Sequence, residues 1–211
     1  MQTWTEYTRF LIALTAVLDP FLAVPMFLSV TSGRGIREQK RTARLVSVTV
    51  LGVLLVAALT GETILRLMGS SLASFRVGGG LVLLLMAIAM LNAQAGNVRQ
   101  TTEEAIELES GEATGIVPLA IPLLAGPGAI SMVIIATQHG NWLHYLTISA
   151  CVLGVCGLLW LMLSLATPIG RAMGNTGMNI ANRLLGLLLA GIAVETIAIG
   201  LKQLFPILGG G

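Results

Sequence analysis

Six long apolar runs, separated mostly by short polar connections, constrain this chain more than anything else in it. They lie near residues 7–30, 45–67, 75–95, 116–137, 142–168 and 184–205. A helix needs about 20 predominantly apolar residues to cross a bilayer core, and each run is long enough. The runs are continuous and do not alternate at period two, which excludes an outer-membrane barrel. Charge is scarce to match. Only 10% of the 211 residues are charged and 55% are hydrophobic, whereas a soluble domain carries about 25% charged residues. That excludes a soluble globular enzyme, a disordered chain and a disulfide scaffold. A net charge of +2 leaves no electrostatic footprint for nucleic acid. The sequence therefore predicts an all-α membrane protein with six transmembrane helices. The first run lacks a basic leader and a small-residue cleavage site, so it reads as a span rather than a signal peptide.

Lys and Arg placement predicts the orientation. Arg34, Arg37, Lys40, Arg41 and Arg44 crowd the first connection, Arg99 lies in the third, and Arg171 and Arg183 flank the fifth. The positive-inside rule then puts these connections, including 31–44 and 96–115, in the cytoplasm and both termini outside. Trp4, Tyr7, Trp142 and Tyr145 fall at the opposite, outer interface, where aromatic belts form. The connector over 97–115 carries Glu103, Glu104, Glu107, Glu109 and Glu112. Charge runs are usually solvated, so it reads as a linker rather than a cation-binding segment.

The chain repeats itself in order. Pro20-Phe-Leu-Ala-Val-Pro25 resembles Pro122-Leu-Leu-Ala-Gly-Pro127. Arg66-Leu-Met-Gly69 resembles Arg171-Ala-Met-Gly174, and Arg76-Val-Gly-Gly79 resembles Arg183-Leu-Leu-Gly186. Each half, 1–96 and 116–211, has three spans, and an odd number turns the second half over. The expected architecture is a 3+3 inverted repeat, which recurs in secondary transporters.

The paired prolines fall near the middle of spans one and four, and both spans are expected to break there. Irregular backbone at membrane depth is tolerated where it is buried in protein or lines a watery cavity. Matched interruptions in two halves point to a transporter site, though proline kinks also serve packing alone. After the second break, Gly128, Ala129 and Ser131 start a half-helix. Its free N–H groups suit a carboxylate, and Gly126 and Gly128 admit a ligand close to the backbone. In span one, Asp19 precedes Pro20, a strong helix-start pattern. Asp19 is also the only Asp in the chain and sits near mid-membrane. It is a candidate both for capping and for holding an ammonium or a coupling proton. Glu195 is expected near the middle of span six, as a proton carrier or a neutral hydrogen-bonded group. Glu62 lies one turn before Arg66, which favours structural pairing over coupling.

The remaining motifs are plainer. Gly78, Gly79, Gly80, Gly186 and Gly191 suit close helix packing. Cys151 and Cys156, five residues apart on one helix, point away from each other and read as apolar packing residues. His139 and His144 are expected in an external turn. No metal-ligand spacing is present, nor the phosphate loop of an ATPase, and no nucleophile–base arrangement marks an enzyme. No cofactor is implied.

Asp19-Pro20 with Ala23-Val24-Pro25, the segment Phe75-Arg-Val-Gly-Gly-Gly80 and the segment Pro122-Leu-Leu-Ala-Gly-Pro-Gly-Ala-Ile-Ser131 resemble the signature segments of the MarC/SnatA family. These are six-span proteins of bacterial and archaeal inner membranes. The resemblance covers essentially the whole chain. It implies a secondary transporter of small neutral amino acids such as glycine and alanine, driven by a proton or sodium gradient. On that expectation Asp19, Pro20, Ala23, Gly126, Gly128, Ala129 and Ser131 surround the substrate, while Asp19, Glu195 and Glu62 are the coupling candidates. A channel or uniporter, and a membrane scaffold acting through the acidic connector, are the alternatives.

Overall fold

The computed structural model describes residues 4–31, 33–67, 69–92, 124–137 and 141–205. Its regular elements are helices, with no strand among the described residues. They are α1 (Trp4–Leu18), α2 (Pro20–Val30), α3 (Ile36–Leu67), α4 (Leu72–Leu91), α5 (Pro127–Thr137), α6 (Trp142–Ser164) and α7 (Ala166–Leu204). Five stretches are long and apolar enough to cross a membrane: Trp4–Leu28, Ile36–Gly61, Leu72–Leu91, Trp142–Ser164 and Thr176–Leu204. The apolar α5 is shorter. The first part of the span expected over 116–137, and the acidic connector at 97–115, lie outside the described residues.

Local chemistry sets the boundaries. Ser71 caps α4, its extended backbone (φ −76°, ψ 149°) letting Oγ accept the Ser74 N–H at 3.0 Å. Gly69 (φ 66°) separates α3 from α4, and Gly174 (φ 58°) interrupts α7. A side chain at either position would strain a left-handed backbone, so glycine is required. The last span thus begins at Thr176, not near 184. The polar residues 176–183 continue the helix because the turn had already been made at Gly174.

The first span is the hub. Over half of its apolar window, 56%, is buried inside the protein, against 22% for Thr176–Leu204. Leu14, Ala16, Val17, Leu18, Ala23 and Val24 are all essentially inaccessible. Around this hub, α4 packs chiefly on α7, and α3 packs on α6. The half-helix α2 lies against α6 and α7, and α5 lies against α3 and α4. Both cysteines are free in α6, Cys156 buried and Cys151 half-buried.

The α4–α7 seam is close because glycines line it. A methyl group on Gly80 would lie 2.6 Å from Ile197 Cγ1 and 3.2 Å from the Ala193 carbonyl oxygen. One on Gly200 would lie 3.0 Å from the Ala73 carbonyl oxygen, and one on Gly186 would lie 2.8 Å from Met90 Cβ. Gly79 meets Ser131 of α5 in the same way. Gly78 and Gly191 do not pack as expected. A methyl on either meets nothing within 4 Å, because both fall on open faces.

Gly200→Leu should therefore force the seam apart and lower stability by about 1–3 kcal/mol or more. Gly52→Ala, on an exposed face with nothing within 4 Å, should be neutral or stabilise by up to about 1 kcal/mol. Thermal unfolding of the two variants in detergent, followed by size-exclusion chromatography, separates these outcomes.

Candidate functional site

The chain leaves its helical path at Asp19. α1 closes with the Asp19 N–H donating to the Thr15 carbonyl at 3.0 Å. α2 opens with the Ala23 N–H donating to the Asp19 carbonyl at 3.1 Å. Pro20 has no N–H to continue α1. Asp19 itself is left-handed at φ 46°, the one non-glycine residue with positive φ among those described. Such a backbone costs on the order of 1–3 kcal/mol and is found where the surroundings hold it.

The side chain explains how it is held. Asp19 is completely buried. Oδ1 accepts the Leu22 N–H at 3.1 Å, the capping bond expected of Asp at this position. Across the interface lies the side-chain amide of Asn182 in α7; because a carboxylate only accepts, the amide is assigned with its nitrogen toward Asp19, where it donates to Oδ1 at 2.7 Å and to Oδ2 at 3.0 Å. Asn182 is buried too. The Asp19–Asn182 contact thus locks the break in span one to the last span.

The break expected over Asp19–Pro25 falls at Asp19–Pro20. α2 runs straight through Pro25. Pro25 lies on an exposed face beside a cavity of about 250 Å³, lined also by Thr167, Gly170, Arg171, Gly174 and Met178. There its ring finds room, and the helix forgoes one bond, to the Phe21 carbonyl.

The other helix start has the same form. Pro127 is the first residue of α5, and the Ile130 N–H donates to the Gly126 carbonyl at 3.1 Å. Gly128 and Ala129 follow, both buried, with no helical acceptor for their N–H groups. A methyl on Gly128 would lie 2.7 Å from Met86 Sδ, 3.2 Å from Leu83 Cδ2 and 3.5 Å from Val17 Cγ1. The start of α5 therefore sits against α4 and beside α1, two residues from Asp19. The Ser131 hydroxyl, expected to face a ligand, instead donates to the Gly128 carbonyl at 3.1 Å. Pro20 and Ala23 are buried alongside Asp19, and Gly126 is half-buried.

A larger cavity, of about 440 Å³, opens from the other end of span one. Ala13, Leu83 and Met132 line its depth, and Arg9 and Glu195 stand on its wall. Arg9 Nη1 lies 3.3 Å from Glu195 Oε1, with both side chains more than half exposed. Glu195 is thus not beside Asp19. Thirteen helical residues separate it from Asn182, about 20 Å along the axis. Its expected central depth shifts outward because the last span begins earlier than the sequence indicates. The Glu62 side chain and His139 lie outside what the structure describes.

His144 is not in a turn. It is a buried residue of α6, whose Nδ1 lies 3.0 Å from the Tyr7 hydroxyl and whose Nε2 lies 2.6 Å from the Ala136 carbonyl oxygen. It ties α1, α5 and α6 together. Sequence reasoning missed Asn182 altogether. The available signal was an amide on the helical continuation of an apolar run, where polar side chains join helices.

The arrangement defines a polytopic all-α membrane protein with a buried carboxylate at an interrupted span. The chain matches the profile described as "MarC family integral membrane protein" over residues 4–205, and it belongs to that family. It is 34% identical over 203 residues to the UPF0056 membrane protein YhcE of Escherichia coli (strain K12), covering 95% of this chain and 94% of that one. It is 33% identical over 199 residues to the UPF0056 membrane protein YvbG of Bacillus subtilis (strain 168), covering 93% and 94%. A UPF0056 membrane protein of the archaeon Methanocaldococcus jannaschii is 35% identical over 191 residues, covering 89% and 91%. No solved structure matches the chain.

Asn182→Ala should remove from the Asp19 carboxylate its donor across the interface and cost about 1–3 kcal/mol. Asp19→Ala should cost at least as much, because it also removes a cap worth about 1 kcal/mol. The double variant should cost clearly less than the sum, since both changes break one contact. A double-mutant cycle measured by unfolding in mixed detergent micelles checks this.

Proposed function

We propose that the protein is a secondary active transporter of small neutral amino acids, of the glycine and alanine kind, coupled to a proton or sodium ion. The observation that carries this reading is the buried Asp19–Asn182 contact at a helix break, with a cavity approaching from each end of span one. The 250 Å³ cavity reaches Met178, one turn from Asn182, and Pro25, six residues beyond Asp19. The 440 Å³ cavity reaches Leu83, which also covers Gly128. Between the two cavities we place two sets of buried contacts, Gly128 against Val17, Leu83 and Met86, and Asp19 against Asn182. Alternating access needs such contacts to open to one side at a time.

An inverted repeat supports the same reading. The register that pairs Arg76 with Arg183 pairs Pro20 with Pro127, not with Pro122 as the proline motifs alone align, and Pro20 and Pro127 each open a half-helix. Gly69 and Gly174, which close matching segments, both have positive φ. The contacts exchange as an inverted pair would require: α2 on α7 and α6, α5 on α4 and α3. The first unit is then 1–96 and the second 116–211. The basic connections favour a cytoplasmic-membrane protein with both termini outside.

In this mechanism the N–H groups of Gly128 and Ala129 receive the substrate carboxylate. Asp19 takes the substrate ammonium or the coupling ion. Arg9 and Glu195 form a polar pair at the mouth of the larger cavity. The small side chains of Ala23 and Ala129 add little bulk around the substrate. The family resemblance supports the substrate class, and the geometry supports the site location.

Purified protein in liposomes should accumulate glycine, alanine or serine against a gradient when a proton or sodium gradient is imposed. Asp19→Asn should abolish the uphill accumulation. Glu195→Gln, far from Asp19, should leave it at least partly intact. Absence of gradient-dependent uptake of all three amino acids would sink the amino-acid reading. Uphill uptake unchanged in Asp19→Asn would remove Asp19 from the mechanism, and purely downhill flux would point to a channel.

A further inference from the structure

One face of α3 is written in two halves. Arg37, Lys40, Arg41 and Arg44 recur at three- and four-residue spacing, and Val48 and Leu51 continue the same stripe. All four cations are exposed. They border a hollow of about 670 Å³, which also includes Glu38. The apolar half of the stripe forms one wall of a groove of about 380 Å³, and Leu153, Gly157 and Trp160 of α6 form the other. Arg44 borders both the hollow and the groove, so the two are continuous. The groove is deepened at Gly157, where a methyl group would meet nothing within 4 Å. On its inner wall Ser47 is buried, and its hydroxyl has no hydrogen-bond partner among the described residues.

We propose that this face holds an anionic phospholipid, with its phosphate at Arg41 and Arg44 and an acyl chain in the α3–α6 groove. The occupant is fixed by the order of chemistry along the helix. Four cations against one carboxylate select a negative headgroup, and the adjoining groove is as apolar as an acyl chain. A zwitterionic phospholipid also offers a phosphate, but it brings its own cation against the four basic residues, so a headgroup of net negative charge is favoured over it. Basic pockets between spans at the membrane surface recognise anionic headgroups in this way. The site lies on the α3–α6 face and is built from residues outside the proposed transport pathway.

Trp160 supplies the readout. The chain has 3 tryptophans, so the W4F/W142F variant retains Trp160 alone, beside the groove. In bilayers of stated composition, dibrominated phosphatidylglycerol should quench Trp160 at a lower mole fraction than dibrominated phosphatidylcholine. A cation near the membrane surface is worth about fivefold in binding, so Arg44→Ala should cut this preference about fivefold. R41A/R44A should nearly erase it. Gly157→Leu, which fills open space without touching the basic residues, should weaken quenching by the phosphatidylglycerol. Equal quenching by the two lipids would overturn the proposal, as would a preference that survives R41A/R44A. Quenching unaffected by Gly157→Leu would remove the groove from it. Circular dichroism and monodispersity of each variant establish that it is folded before it is compared.

Discussion

The architecture depends on one constraint: a carboxylate buried at a helix break has to be satisfied without water. Water is absent from the hydrocarbon core, and an unmet polar group there is costly. Asp19 meets the requirement in two directions. Along its own chain it caps α2 through Leu22, and across the bundle it is held by Asn182. The first bond makes the break a defined restart rather than a frayed kink. The second fixes the rotation and depth of α7 against span one. The glycine-lined seam between α4 and α7 then fixes α4 in turn. A large part of the bundle is registered from one side chain outward.

This arrangement explains why the first span is the most enclosed of the five. A continuous helix satisfies its own backbone and can face lipid. An interrupted one leaves backbone groups that only protein or a lined cavity can tolerate. The same pressure applies to the start of α5, where Gly128 is shielded by Met86, Leu83 and Val17. Shielding both helix starts from lipid draws them toward the centre of the bundle. The two cavities of about 440 and 250 Å³ lie at opposite ends of span one.

What was legible in the sequence was local. Spans, the cap at Asp19-Pro20 and the half-helix start after Gly126-Pro127 follow from rules that act within a few residues. The misreadings have a common origin in tertiary context. Pro25 looked like a helix breaker because proline usually is one, but its position beside a cavity gives the ring room. Residues 176–183 looked like a polar connection, yet they are helical because Gly174 has already turned the chain. The earlier start also moves Glu195 from the middle of its span into the second half of Thr176–Leu204. Asn182 was overlooked for the same reason, since it fell outside the expected span and its partner lies 163 positions away. His144 looked exposed because it lies near a turn, but Tyr7 and Ala136 enclose it. No reading of neighbours along the chain supplies such partners.

The identity of the residue facing Asp19 bears on the transport reading. A guanidinium or ammonium donates only, and so it favours a permanently ionised carboxylate. An amide presents two donors on one side and an acceptor on the other. Asn182 can therefore donate to the carboxylate when Asp19 is charged, and with its amide turned over it can accept from the acid when Asp19 is protonated. The Asp19 side chain thus keeps a partner in Asn182 in either state. A group that must load and release a coupling ion once per cycle benefits from that indifference. A purely structural cap needs only the Leu22 bond, which α2 alone provides. The amide across the interface is what a cap does not require and a switchable carboxylate does.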